Sequence, residues 1–113
     1  MKMLVKNLSG KSLDYAVAMC EGLDNFSSIP SIKFYYNPST DWRSGGEIIE
    51  REGLSIKYLT ITDDTFRWAA TQKPTIKQIT PKACYGETAL IAAMRCYVAS
   101  KHGDEIEIPE LDM

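Results

Sequence analysis

The sequence predicts an α+β fold: a small, largely antiparallel sheet of four to five strands with about three helices packed on it. Two patterns carry that prediction. Apolar residues recur at i, i+3, i+4 and i+7 through Leu13, Ala16, Val17 and Cys20, and again through Leu90, Ala93, Met94, Tyr97 and Val98, the period of helices with one buried face. Around Leu54–Thr62, Thr65–Thr71 and Glu105–Ile108 the period drops to two, as in strands with one solvated side. The chain of 113 residues, 44% hydrophobic, has room for a single domain, 1–113, with one modest core.

Each element has local support. Met3–Lys6 reads as a short opening strand. Ser9 offers an N-cap to a first helix over Gly10–Glu21, which Gly22 ends by supplying a left-handed residue. Leu23–Ser31 is rich in turn formers, and the aromatic run Ile32–Tyr36 is β-prone. Ser44-Gly45-Gly46-Glu47 matches the capping-box pattern and predicts a short helix through Arg51 or Glu52, closed by Gly53. Leu54–Thr62 and Thr65–Thr71, joined by Asp63-Asp64, form an antiparallel hairpin. Gln72–Tyr85, with Pro74 and Pro81, reads as a long loop. The third helix runs over Glu87–Lys101 and stops at Gly103, with Lys101 and His102 in its last turn, where positive charge suits the helix dipole. Glu105–Ile108 is a last strand, ended by Pro109.

Composition excludes several classes of function. Thirteen basic against fifteen acidic residues leave a net charge of −2. That balance disfavours general binding to nucleic acid or to anionic membrane, although Lys73, Lys77 and Lys82 could form a local basic patch. No apolar run is long enough to span a membrane, and the N-terminus lacks a signal-peptide core, so a cytoplasmic protein is expected. The three cysteines, Cys20, Cys84 and Cys96, show no CxxC spacing and read as reduced apolar fillers rather than metal ligands. His102, the one histidine, falls at a helix end, and nothing local places a cysteine within its reach. No cofactor or metal is expected, and no catalytic set is identified.

Asn37–Gly46 is the most distinctive stretch. Asn37, Ser39, Thr40 and Asp41 bring polar side chains, Trp42 a flat face, and Gly45-Gly46 open backbone beside a helix start. Hydroxyls and amides at a helix N-terminus can cradle an anion, while an indole can stack on a base. The bland alternative is a well-capped turn with Trp42 plugging the core. No Walker or GxGxxG pattern accompanies the stretch. Trp68 is the natural second wall, and Arg51 or Arg95 could supply planar, bidentate charge. Asp41, Glu47 and Glu50 could instead hold a divalent cation for phosphoester chemistry, but carboxylates near a helix start usually serve the helix itself.

YYNPSTDWRSGGEIIEREGLSI, with LDYAVAMCEG before it and ETALIAAMRCYVASKHGDEIEIP after it, resembles the NinX-like small proteins of phages and prophages. The likeness covers Leu13–Gly22, Tyr36–Ile56 and Leu90–Pro109, whereas the hairpin and Gln72–Tyr85 resemble nothing in particular. Glu47 stands where a proline is expected, at a helix position that tolerates either. The resemblance implies a phage accessory protein working in the bacterial cytoplasm, and brings no activity, substrate or catalytic residue with it.

Together these readings favour a non-enzymatic binder of a small anionic, nucleotide-like ligand. Its site would comprise Asn37, Ser39, Thr40, Asp41, Trp42, Gly45, Gly46, Arg51, Trp68 and Arg95. Sequestration of a host signalling nucleotide and counter-defence fit that reading, and a homo-oligomer would deepen so small a site. The alternative is a protein-interaction module acting on a host or phage replication, recombination or defence enzyme. It requires an exposed aromatic patch in place of a polar pocket.

Overall fold

The computed structural model describes residues 2–23, 36–60, 67–73 and 83–108. Strand β1 (Lys2–Leu4) runs into a 3-10 turn at Val5–Asn7 and then helix α1 (Gly10–Cys20). Helix α2 (Trp42–Glu52) leads into β2 (Ser55–Tyr58), and β3 (Trp68–Thr71) and β4 (Cys84–Gly86) precede helix α3 (Ala89–His102) and strand β5 (Glu105–Glu107). The class is α+β with antiparallel pairing throughout the described residues. The strands divide between two sheets, β1–β5 and β2–β3–β4.

The hairpin register pairs Ser55 with Thr71 and Tyr58 with Trp68. The Leu59 amide extends this ladder by donating to the Arg67 carbonyl at 2.7 Å. β4 adds on the other side of β3, with Ala70 opposite Cys84. The end of the expected Gln72–Tyr85 loop is therefore a strand: three residues suffice once a neighbour supplies the ladder, and so short a run leaves no period to read. Met3 pairs with Ile106 in the second sheet, joining the two ends of the described chain. Residues 24–31 of the expected loop, 32–35 of the expected Ile32–Tyr36 strand, the Asp63-Asp64 turn, most of the long loop and the Pro109 stop lie outside the described residues.

Helix α3 is the hub. It packs against α1, α2, all three strands of the larger sheet, β5 and the 3-10 turn. Leu90, Ala93, Met94, Tyr97 and Val98 are buried as their spacing predicts, but so are Ala89, Ala92 and Cys96, because a central helix has neighbours on most sides. The core joins Ala92, Ala93, Met94, Cys96, Tyr97 and Val98 to Val5, Leu8, Leu13, Val17, Ile48, Ile106 and Ile108. Close approach of sheet and helix depends on Gly86: a Cβ there would stand 2.6 Å from the Ala92 amide nitrogen.

The helix ends follow ordinary capping chemistry. The Ser12 hydroxyl accepts from the Ser9 amide at 3.1 Å and donates to the Ser9 carbonyl at 2.8 Å, fastening the start of α1. At its end, Gly22 adopts φ +80°, while the Leu23 amide reaches back to the Ala18 carbonyl at 2.9 Å. Helix α2 begins two residues before the expected Ser44. Asp41 is its cap, Oδ1 accepting from the Arg43 amide at 2.9 Å, because an aspartate whose carboxylate reaches the backbone outcompetes a serine three residues later.

Candidate functional site

Four of the sequence-predicted site residues meet. Ser39, Thr40, Trp42 and Trp68 line a groove of about 460 Å³, closed by Ile56 of β2 and by Glu87–Ile91 at the start of α3. The polar turn comes first in building it. The Asn37 carbonyl accepts from the Thr40 amide at 3.0 Å and the Asp41 amide at 2.9 Å, so the chain doubles back directly before α2. Ser39, 2% exposed, is pinned under this turn by its amide, which donates to Asp14 Oδ1 of α1 at 2.9 Å. Burial raises the Asp14 pKa above the usual carboxylate range, with the Ser39 amide and the nearby Ser39 hydroxyl pulling the other way. Among the described residues Ser39 Oγ completes no hydrogen bond of good geometry, although it lies near enough to the Asp14 carboxylate to favour its charged form.

Trp42 is the first residue of α2 and is 56% exposed, so it does not plug the core. Its Cε3 lies 3.5 Å from where a Cβ on Gly46 would be, so the indole lies over the next turn of its own helix. Trp68, half-buried on β3, meets Tyr58 edge-on with ring centroids 5.1 Å apart and planes at 74°. The helix α3 wall is held by Thr88, whose hydroxyl accepts from the Ile91 amide at 3.1 Å. Glu87 beside it is the one ionisable side chain among the described lining residues.

The remaining candidates serve the fold. Asn37 and Asp41 are committed to the turn and the cap. Gly45 and Gly46 lie inside α2, and the Gly45 amide donates to the Asp41 carbonyl at 2.9 Å, so that amide is unavailable as an anion donor. Gly45 instead permits contact: a Cβ would fall 2.3 Å from the Pro38 carbonyl oxygen and 2.6 Å from Leu90 Cδ2.

Arg51 turns to α1 and α3, binding Glu21 and Glu52, with its Cζ 5.8 Å over the Tyr97 ring. Arg95 donates through Nε to the Leu8 carbonyl at 2.9 Å and through Nη1 to the Tyr85 carbonyl at 2.7 Å. Neither arginine lines the groove. The expected pairing of stacking face and bidentate cation therefore separates in space, because helical period places a side chain on a face without naming the element opposite. Among the described residues, no three His, Cys, Asp or Glu side chains come together as metal ligands, and Asp41, Glu47 and Glu50 do not converge.

Sequence reasoning missed Glu87 and the first turn of α3 as a groove wall. Its signal was Thr88, a capping residue placed before an apolar run. Asp14 was missed as well, although an acid inside the otherwise apolar LDYAVAM run is a sign of a buried partner.

The family model described as Bacteriophage P22, NinX matches residues 5–101, which take in α1, the polar turn, both groove tryptophans and all but the last residue of α3. The chain belongs to this phage NinX family. The match also spans the hairpin that the sequence alone related to nothing. No curated protein matches the chain. No described helix of this NinX-family protein is long and apolar enough to cross a membrane.

Proposed function

We propose that this NinX-family protein is a non-enzymatic binding module that holds a small nucleotide-like ligand by its flat aromatic part, between Trp42 and Trp68. The observation that carries the reading is Ser39. Among the described residues it is the buried side chain whose polar atom completes no hydrogen bond of good geometry, and it lines a groove walled by two indoles. Leaving a buried hydroxyl unsatisfied costs about 1–3 kcal/mol, which a ligand group bonded to it would recover. Stacking on an aromatic face contributes about 1–3 kcal/mol per base, and it needs no particular hydrogen-bond pattern.

The charge of the ligand takes second place. With Arg51 and Arg95 engaged elsewhere and Glu87 at the rim, the groove favours an uncharged base over a phosphate. The donors left for a polar substituent are Ser39, Thr40 and the first amides of α3. Capture of a host nucleoside or nucleotide inside the infected cell is the role this chemistry suits in a phage protein.

Isothermal titration with a panel of nucleosides and their mono-, di- and cyclic nucleotides tests the reading. A nucleoside should bind with a Kd of about tens of micromolar and its phosphorylated form no more tightly. Trp42→Ala should abolish the heat. Silence across the whole panel would remove the proposal.

A protein-interaction role is the second reading, and Tyr58 favours it. At 44% exposure it extends the aromatic surface from Trp68 beyond the groove, and such rings anchor protein partners. Retention of one host or phage enzyme by the wild type, lost with Trp42→Ala and Trp68→Ala and unaffected by nucleosides, would select it.

A further inference from the structure

A second cavity, of about 390 Å³, lies where the β1 end of the small sheet meets β4 and the later turns of α3. It shares no described lining residue with the tryptophan groove. Leu4, Val5 and Ala99 give it apolar walls, and Arg95, Lys6 and Asp104 are its charged groups.

Arg95 is the unusual member. It is half-buried, and its hydrogen bonds go to two backbone carbonyls, those of Leu8 and Tyr85. No carboxylate of the described residues lies within ion-pairing distance of it. A guanidinium taken partly out of water without an ion-pair partner is unfavourable: burial holds its pKa below the ordinary arginine value, and the more distant Glu87 carboxylate opposes that only in part. The two carbonyls restrain the plane through Nε and Nη1 and leave the Nη2 edge for a further acceptor. A planar, fixed fork is suited to a carboxylate. Among the described lining residues two cations face one acid, an excess of positive charge that suits an anion.

We infer that this cavity is a binding site for a small organic monoanion, a carboxylate on an apolar body. The carboxylate sits on the outer edge of Arg95, near Lys6, and the apolar body lies against Leu4, Val5 and Ala99. The site is independent of the tryptophan groove and does not rest on the function proposed for it.

Titration followed by nitrogen–proton correlation spectra tests this, with hexanoate as the probe, hexanol as its uncharged counterpart and inorganic phosphate as a compact anion. Hexanoate should shift the Arg95 Nε–Hε and Ala99 amide signals saturably, with a Kd of about 1 mM or tighter, and hexanol should not. Ala99→Leu fills the cavity while keeping Arg95, and should weaken hexanoate at least about tenfold. Lys6→Gln, at an exposed position that leaves the fold intact, should weaken it severalfold. Equal shifts with hexanol, tighter binding of phosphate, or no saturation with hexanoate would each overturn the assignment. Hexanoate affinity unchanged in both Lys6→Gln and a folded Ala99→Leu would do the same.

Discussion

Arg51 on α2 grips Glu21 at the end of α1 with a two-pronged contact: Nη1 meets Oε1 at 3.0 Å and Nη2 meets Oε2 at 2.6 Å. Tyr97 of α3 donates its hydroxyl to the same carboxylate, and Lys101 stands 5.8 Å over the Tyr97 ring. Three helices are thus joined through one acid. The Arg51 hydrogen bond, with help from Tyr97, holds the Glu21 pKa below the usual carboxylate range despite partial burial.

This contact has a measurable energy. The Arg51 side chain is 45% exposed and that of Glu21 21%, so solvent screens the pair, and a double-mutant cycle of Arg51→Met and Glu21→Gln should give a coupling of about 1 kcal/mol. Because the folded pKa of Glu21 is depressed, the stabilisation is complete above the unfolded value near 4.5 and is lost as pH falls through the lower folded value. Urea unfolding from pH 6 to pH 3 should therefore show a steeper stability loss in wild type than in Arg51→Met.

Adjacent glycines of α2 should respond with opposite signs. Gly45→Ala puts a methyl 2.3 Å from the Pro38 carbonyl oxygen, so the turn must move, and a loss of about 2 kcal/mol or more is expected. Gly46→Ala meets only Trp42 Cε3 at 3.5 Å and should gain about 0.5–1 kcal/mol from helix propensity. Thermal unfolding of the two variants side by side checks this.

Asp41 separates capping from metal chemistry. As an N-cap, Asp41→Asn should be nearly silent in stability, while Asp41→Ala should cost about 1 kcal/mol. If the carboxylate served a metal instead, Asn and Ala would fail alike in a magnesium- or manganese-dependent phosphoesterase assay. Chemical denaturation and that assay, run on both variants, read the difference.

The buried Asp14 titrates in the opposite sense to Glu21. Its folded pKa is raised, so native stability contributed by its neutral form is present below the unfolded value and declines as pH rises through the folded one. Asp14→Asn keeps an acceptor for the Ser39 amide and removes the charge, so its stability should fall less than that of wild type as pH rises from below the unfolded value of 3.8 through the raised folded one. Unfolding free energies across that range provide the check.

Much of this architecture is legible from local pattern. The two long helical stripes, the hairpin alternation and the glycine stops at Gly22, Gly53 and Gly103 are short-range features, and each lies where its residues place it. The groove is half-legible: the polar turn and Trp68 signal themselves by composition. That Glu87, Thr88 and Leu90 complete the groove depends on how α3 crosses α2, which no local period encodes. Arg51 and Arg95 show the same limit from the other side. Their chemistry is readable, but the choice of Glu21 for one and the Leu8 and Tyr85 carbonyls for the other is made by tertiary packing.

The most direct test of the groove follows the two indole Nε1–H signals of the 15N-labelled protein during addition of adenosine and, separately, of its monophosphate. Trp42 and Trp68 should move together with one midpoint, and the added phosphate should not tighten binding. Indole signals that stay fixed while adenosine reaches millimolar excess would contradict a ligand held between these two rings.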